Sequence, residues 1–240
     1  MKKSNQNPSK AGNLSRRDGD PDPRVWISSE GVENHSPSEQ SPSSGRWGAV
    51  LLLLLSPFGG AGGGLAFAQF TTTGSASNSG GGCYALTPDV TALTGAAWCT
   101  VPINLSQPQT IQYNLNFGNK DLNGADGIAF VLQNQGTGVV GGLGIGIGYQ
   151  GISPSVIVEF DDYQNIFDPV NDHLAITLNG DANHLSAGNA GNPVTSFPFN
   201  IEDGTWHPVQ ITWNPATLTM QVYFDCKLWL TYTNDIVNTI

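Results

Sequence analysis

The segment Glu159-Phe160-Asp161-Asp162-Tyr163-Gln164-Asn165-Ile166-Phe167-Asp168-Pro169-Val170-Asn171-Asp172-His173 concentrates the groups of this chain that are able to do chemistry. Val158 and Phe160 are apolar and alternate with Glu159 and Asp161, a period of two that sets both carboxylates on one face of a strand. Adjacent carboxylates repel and desolvate one another, so the pair is stable with a proton or a cation between them. Asn165, Asp168, Asp172 and His173 follow within one loop. Carboxylates with an amide oxygen and a backbone carbonyl suit calcium; two or three carboxylates with one imidazole suit Mn²⁺ or Zn²⁺. One aspartate shared by both sets makes a two-cation loop, and the plain alternative is a solvated acidic loop. His184 and His207 read as loop and strand-end residues rather than ligands, and Trp98, Trp206, Trp213 and Trp229 as core or sheet-edge aromatics.

Strands must position this cluster. Ile111, Tyr113, Leu115 and Phe117 alternate with Gln112, Asn114 and Asn116; Ile128, Phe130 and Leu132 alternate again. The same period returns at Val156, Val158 and Phe160, at Val209, Ile211 and Trp213, and at Leu218, Met220, Val222 and Phe224. Clusters of Gly, Asn, Asp and Pro separate these runs, and no sustained helical period interrupts them. The pattern predicts an all-β domain of two packed antiparallel sheets.

Charge narrows the partners. From Gln69 onward 13 carboxylates face only Lys120 and Lys227, a net charge of −11. Such a surface cannot neutralise phosphates, which argues against nucleic acid and anionic lipid. Residues 1–46 are polar and lack apolar periodicity, and read as a disordered leader. Residues 47–68 contain the run Leu51–Leu55, too short to span a bilayer, and end in Ala66-Phe67-Ala68. They read as a signal peptide cut after Ala68, leaving residues 69–240 as a secreted or cell-surface domain with no membrane insertion. A start codon placed too early would account for the length of the leader. Cys83 and Cys99 flank a Thr/Gly-rich segment and are expected to pair in an oxidising compartment; Cys226 reads as a buried free thiol on a strand.

Three stretches together resemble the L-type (legume-type) lectins. The Glu159 to His173 segment is similar to their metal-binding loop, Gly124-Ala125-Asp126-Gly127-Ile128-Ala129-Phe130 to their Asp-Gly strand, and Gly141-Gly142-Leu143-Gly144 to their glycine-rich loop. The resemblance covers residues 69–240, looks closest to the bacterial branch, and implies a concanavalin A-like jelly-roll sandwich. It implies a transition metal such as Mn²⁺ on Glu159, Asp161, Asp168 and His173, and Ca²⁺ on Asp161, Asn165, Asp168 and the Tyr163 carbonyl. Asp162 stands where legume members usually have Thr, and Asp172 is a spare carboxylate, so either Asp168 or Asp172 bridges the ions. The resemblance further implies a glycan held by Asp126, Asn165, a backbone N–H of Gly141 or Gly142, and the ring of Tyr163, with a cis peptide bond before Asp126. Against the family pattern another strand is expected beyond Ile240, so the domain reads as C-terminally incomplete, a module of a larger surface protein or an oligomer.

Two rivals differ in class. Laminarinase-like hydrolases on a similar sandwich carry Glu-x-Asp-x-x-Glu, whereas here the last position is Gln164, which cannot protonate a leaving group. A structural or adhesive sandwich would need neither Asp126 nor the glycine loop.

Overall fold

A computed structural model describes residues 69–121 and 124–240, together with the backbones of two upstream strands, β1 (Arg24–Glu30) and β2 (Val50–Leu54). The leader and signal peptide expected over residues 1–68 otherwise lie outside the described residues. Downstream come β3 (Phe70–Gly74), β4 (Ser77–Gly80), β5 (Cys83–Ala85), β6 (Thr94–Cys99), β7 (Gln109–Leu115) and β8 (Gly127–Gln133). A single 3-10 turn at Gly144–Gly146 precedes β9 (Ser155–Asp161), β10 (His173–Leu178) and β11 (Val194–Ser196). The chain continues through β12 (His207–Asn214), β13 (Thr219–Phe224), β14 (Lys227–Thr233) and a one-turn helix, α1 (Ile236–Thr239).

These strands form two antiparallel seven-stranded sheets, ordered β11-β10-β9-β8-β1-β6-β3 and β14-β13-β12-β7-β2-β5-β4. The architecture is the all-β sandwich expected from the alternating pattern, but β1 and β2, from the stretch expected to be leader and signal peptide, sit inside the two sheets, β1 between β8 and β6 and β2 between β7 and β5. Its central core takes Ile111, Tyr113 and Leu115 from β7, Val209, Ile211 and Trp213 from β12, and Met220, Val222 and Phe224 from β13. The facing sheet contributes Ile128, Phe130 and Leu132 from β8 and Val156, Val158 and Phe160 from β9. Among the described residues no helix is long and apolar enough to cross a membrane.

β8 and β9 are buried on both faces, unlike the half-buried β12. A second apolar layer causes this: Ile147, Tyr149 and Ile152, from the segment joining β8 to β9, pack with Trp98, Ala129, Val131, Ile157 and Ala182. Burying each such large side chain contributes about 1.5–3 kcal/mol, enough to hold the segment down on the sheet. The Trp98 indole N–H donates to the Val139 carbonyl at 2.7 Å and ties the start of the segment to β6. Glu159 and Asp161 therefore lie under a lid of chain rather than on an open sheet face.

The cysteines depart from expectation. Cys83 belongs to β5 in one sheet and Cys99 to β6 in the other, and both are free thiols, so the expected disulfide is not formed. The Cys99 thiol instead donates to the Val101 carbonyl at 3.2 Å. Cys226 is exposed, not buried: with Asp225 it forms the turn between β13 and β14, where φ is +50° at Asp225 and +61° at Cys226. Trp98 and Trp213 are core residues as expected, whereas Trp206 is exposed.

Candidate functional site

β9 runs between β8 and β10, and the registers Asp161↔His173, Asp161↔Gly127, Glu159↔Ala175 and Glu159↔Ala129 fix the site. Paired residues on neighbouring strands share a face, so Glu159, Asp161 and His173 project together beneath the second apolar layer. All three are 1% exposed or less. Gly127 makes the approach possible: its φ is +127°, and a Cβ there would stand 2.2 Å from the Phe160 carbonyl oxygen.

The loop from Asp162 to Asp172 closes on itself. The Tyr163 N–H donates to Asp161 Oδ1 at 2.8 Å, the Asn165 N–H to Asp168 Oδ2 at 2.6 Å, and the Asp168 N–H to the Asn165 carbonyl at 3.3 Å. These bonds turn Asp168 back toward β9. Asp161, Asp168 and His173 then form one group of potential ligands, and Glu159, His173 and His184 a second, each with its ligand atoms within 4.8 Å of one another. Asp161 Oδ2, both ring nitrogens of His173 and Nδ1 of His184 are buried with no hydrogen-bond partner. Buried polar atoms are normally satisfied, so this set of oxygens and imidazole nitrogens fits divalent cations.

The electrostatics agree with that fit. Burial raises Asp161 well above the ordinary carboxylate range, and the neighbouring Glu159 charge raises it further. Burial also raises Asp168, against the hydrogen bond from the Asn165 N–H. Burial pushes His173 down to about 3, helped by His184, so its imidazole stays neutral and keeps a lone pair to donate. Burial alone would lower His184; the hydrogen bond and charge of Glu159, with Asp168 and Asp181, carry it above its usual value.

His184 is the residue that sequence reasoning missed. It lies 25 positions beyond Glu159, yet its Nε2 sits 3.0 Å from Glu159 Oε2 and its Nδ1 3.6 Å from Asp168 Oδ1. Tyr149 was missed as well: its hydroxyl donates to Glu159 Oε2 at 3.0 Å and couples the segment carrying the glycine loop to the cluster. Neither has a spacing signal, because long-range packing brings both in. His207 stays at the start of β12, with Asp225 at 3.0 Å, as expected of a strand-end residue.

Asp126 stands at the mouth of β8, next to the loop. The Ala125–Asp126 peptide is cis, the Asp162 N–H donates to the Asp126 carbonyl at 3.4 Å, and the Asp126 charge is among those raising Asp168. Tyr163 is exposed and Asn165 half-buried beside it. The N–H groups of Gly141 and Gly142 are already engaged, donating to the Gly148 and Gln150 carbonyls at 2.7 and 3.0 Å. Both glycines therefore shape the loop: a Cβ on Gly141 would stand 2.4 Å from the Tyr149 carbonyl carbon. Asp172 lies outside both ligand groups; its Oδ2 accepts from the Ile201 N–H at 2.8 Å. Gln164 is exposed on the loop.

A second acidic group lies beside Gly124. Glu202 is 2% exposed and neither carboxylate oxygen has a hydrogen-bond partner. Gly124 packs directly on it, for a Cβ there would stand 1.6 Å from Glu202 Oε1. Burial, then the charges of Asp162, Asp172 and Asp121, push Glu202 up to about 9 from an ordinary 4.5. The folded chain thus binds a proton that the unfolded chain releases. Its contribution to stability is complete below pH 4.5 and is lost as pH rises through about 9. Glu202→Gln, which keeps the shape without the charge, is expected to flatten that loss and raise the melting temperature by several degrees at pH 9 but little at pH 5. Urea or thermal melts at both pH values check this, and parallel curves for the two proteins would rule it out.

Residues 66–240 match the family model described as the legume lectin β-barrel domain. Three solved structures share the fold. A winged bean acidic lectin complexed with methyl-α-D-galactose is 18% identical, with a TM-score of 0.54, covering 80% of this chain and 84% of that one. Basic winged bean lectin with Tn-antigen is 16% identical, TM-score 0.52, covering 90% and 82%. Lectin UEA-II complexed with galactose is 17% identical, TM-score 0.55, covering 80% and 84%. With nearly three quarters of its length matched by that model, and the paired ligand groups and the neighbouring aspartate falling inside the matched region, this chain belongs to the legume-type (L-type) lectin domain family.

Proposed function

We propose that the chain is a secreted or cell-surface glycan-binding module whose sugar site is organised by two bound cations. The observation that carries this is the junction of Asp126 with the ligand loop: Gly127 is in register with Asp161, and the Asp126 carbonyl accepts from the Asp162 N–H. Ca²⁺ would be held by Asp161, Asn165, Asp168 and the Tyr163 carbonyl, and a transition metal by Glu159, Asp161, Asp168 and His173. Asp168, and not Asp172, then joins Asp161 as a carboxylate shared by both ions, because Asp172 is committed to the Ile201 N–H. The cations neutralise the buried carboxylates and fix the loop.

Asp126 accepts from sugar hydroxyls, the Asn165 amide donates, and the exposed Tyr163 ring covers the C–H face of a pyranose. The glycine loop contributes shape, with Leu143 exposed on it. No bond is made or broken. Gln164 offers no proton to a leaving group, which disfavours hydrolysis. One such site binds in the millimolar to micromolar range, about −4 to −8 kcal/mol, and useful adhesion comes from several sites on one surface.

The test is a glycan array probed with the full chain in calcium, in chelator, and in chelator followed by restored calcium and manganese. Galactosides are the first probes, since galactose and methyl-α-D-galactose are the sugars named for two of the similar structures. Binding that appears, vanishes and returns supports the reading. Binding indifferent to chelator, or none across the array, removes it.

A further inference from the structure

We propose that His184 is a direct ligand of the transition-metal site, making it a two-imidazole site built for Zn²⁺ rather than Mn²⁺. This rests on the reading above that a transition metal occupies the cluster.

Glu159, His173 and His184 form a ligand group in their own right, with all three residues buried. The two imidazoles meet edge to face, 5.0 Å between centroids and 82° between planes. His184 Nε2 lies 3.0 Å from Glu159 Oε2, a separation suited to two atoms sharing one ion, while its Nδ1 faces Asp168 Oδ1 at 3.6 Å. One ring nitrogen faces the carboxylate of the set and the other has no hydrogen-bond partner, which leaves a lone pair available to an ion. The Tyr149 hydroxyl, donating to Glu159 Oε2 at 3.0 Å, orients the carboxylate of the set.

The loop carrying His184 is wired to aim it. The Asn183 N–H donates to Asp181 Oδ1 at 3.0 Å and the Leu185 N–H to Asn183 Oδ1 at 2.8 Å. From below, the Asn189 amide donates to the Asp181 and Asn183 carbonyls at 2.8 and 3.0 Å, while its Oδ1 accepts from the Leu178 N–H at 2.9 Å. Asn183, which precedes the histidine, is thus tied through Asn189 to Leu178 at the end of β10. Ligand chemistry then selects the ion: carboxylate, carbonyl and water donors suit manganese, whereas each added imidazole favours zinc.

The experiment strips the full chain with chelator, restores calcium, and offers Zn²⁺ and Mn²⁺ in competition, reading bound metal by equilibrium dialysis and elemental analysis. Zinc outranks manganese at most nitrogen and oxygen sites. The readout is therefore the change in the zinc-to-manganese ratio between the wild-type chain and His184→Ala. One zinc per chain is expected, with the ratio falling at least tenfold in the variant and calcium binding unchanged. The cobalt-substituted wild-type chain should show visible absorption bands that shift in the variant. His184→Gln, which can still bond Glu159, serves if His184→Ala does not fold. An unchanged ratio and an unchanged cobalt spectrum in a folded variant would overturn the proposal. Glycan binding measured on the same samples keeps the two readings apart. Calcium-dependent binding with a His184-independent metal ratio defeats only the zinc assignment, and a His184-dependent ratio without glycan binding defeats only the lectin reading.

Discussion

Asp126→Ala is expected to abolish glycan binding, with at least a hundredfold loss of affinity and a melting temperature within a few degrees of the parent. The proposed role of Asp126 is to accept hydrogen bonds from two sugar hydroxyls through its carboxylate. Each such charge-assisted bond is worth about 1.5–3 kcal/mol, so losing both exceeds the roughly 2.7 kcal/mol that separates a hundredfold in affinity. The fold survives because the bond tying this residue to the loop uses its backbone: the Asp162 N–H donates to the Asp126 carbonyl, which alanine retains. Asn165→Ala should lose binding for the same reason on the donor side. Titration calorimetry with the best glycan from the array measures both variants. Calcium-dependent binding that persists in both would place the sugar elsewhere on the molecule.

Removing the cations is expected to produce the largest change in stability. Glu159, Asp161 and Asp168 converge beneath the second apolar layer with unpartnered polar atoms among them, so the metal-free chain must protonate them or tolerate their repulsion. A ligand at a thousand times its dissociation constant stabilises the folded state by about 4 kcal/mol, and in a domain of this size each kcal/mol moves the melting temperature by about 2–4 °C. Two ions then amount to roughly 15–30 °C lost in chelator. The pH dependence follows from the raised Asp161 and Asp168 values. Carboxyls raised in the folded state contribute stability that is complete below their unfolded values near 4 and lost as pH rises through their folded ones. The stripped protein therefore weakens on going from acid to neutral pH while the loaded protein does not, and the gap between them widens. Melts with and without chelator at pH 5 and pH 7.5 measure that gap. Coincident curves at both would show that the loop carries no structural ion.

The scaffold and half of the cluster were legible because both rest on short-range periodicity. Alternation at Ile111, Tyr113 and Leu115, and at Val156, Val158 and Phe160, marked strands whose inner faces meet in the central core. The same period put Glu159 and Asp161 on the opposite face of β9, and the structure places His173 across from Asp161 in the neighbouring strand. What escaped were consequences of packing between distant segments. No local pattern announces that residues 147–152 fold over β9 and bury its acidic face, or that the loop braced by Asn189 brings His184 to Glu159. Spacing suggested a bridge between Cys83 and Cys99, but only the sheet order separates them into different layers. Composition likewise hides that the N–H groups of Gly141 and Gly142 are consumed by their own loop, and that Asp172 turns away to Ile201.

The depth of Glu159, Asp161 and His173 has a kinetic side. An ion seated among them would have almost no direct access to solvent, so its escape rate would depend on local opening of the surrounding chain as well as on the strength of the coordination bonds. Dilution into metal-poor surroundings would leave the site filled for long periods.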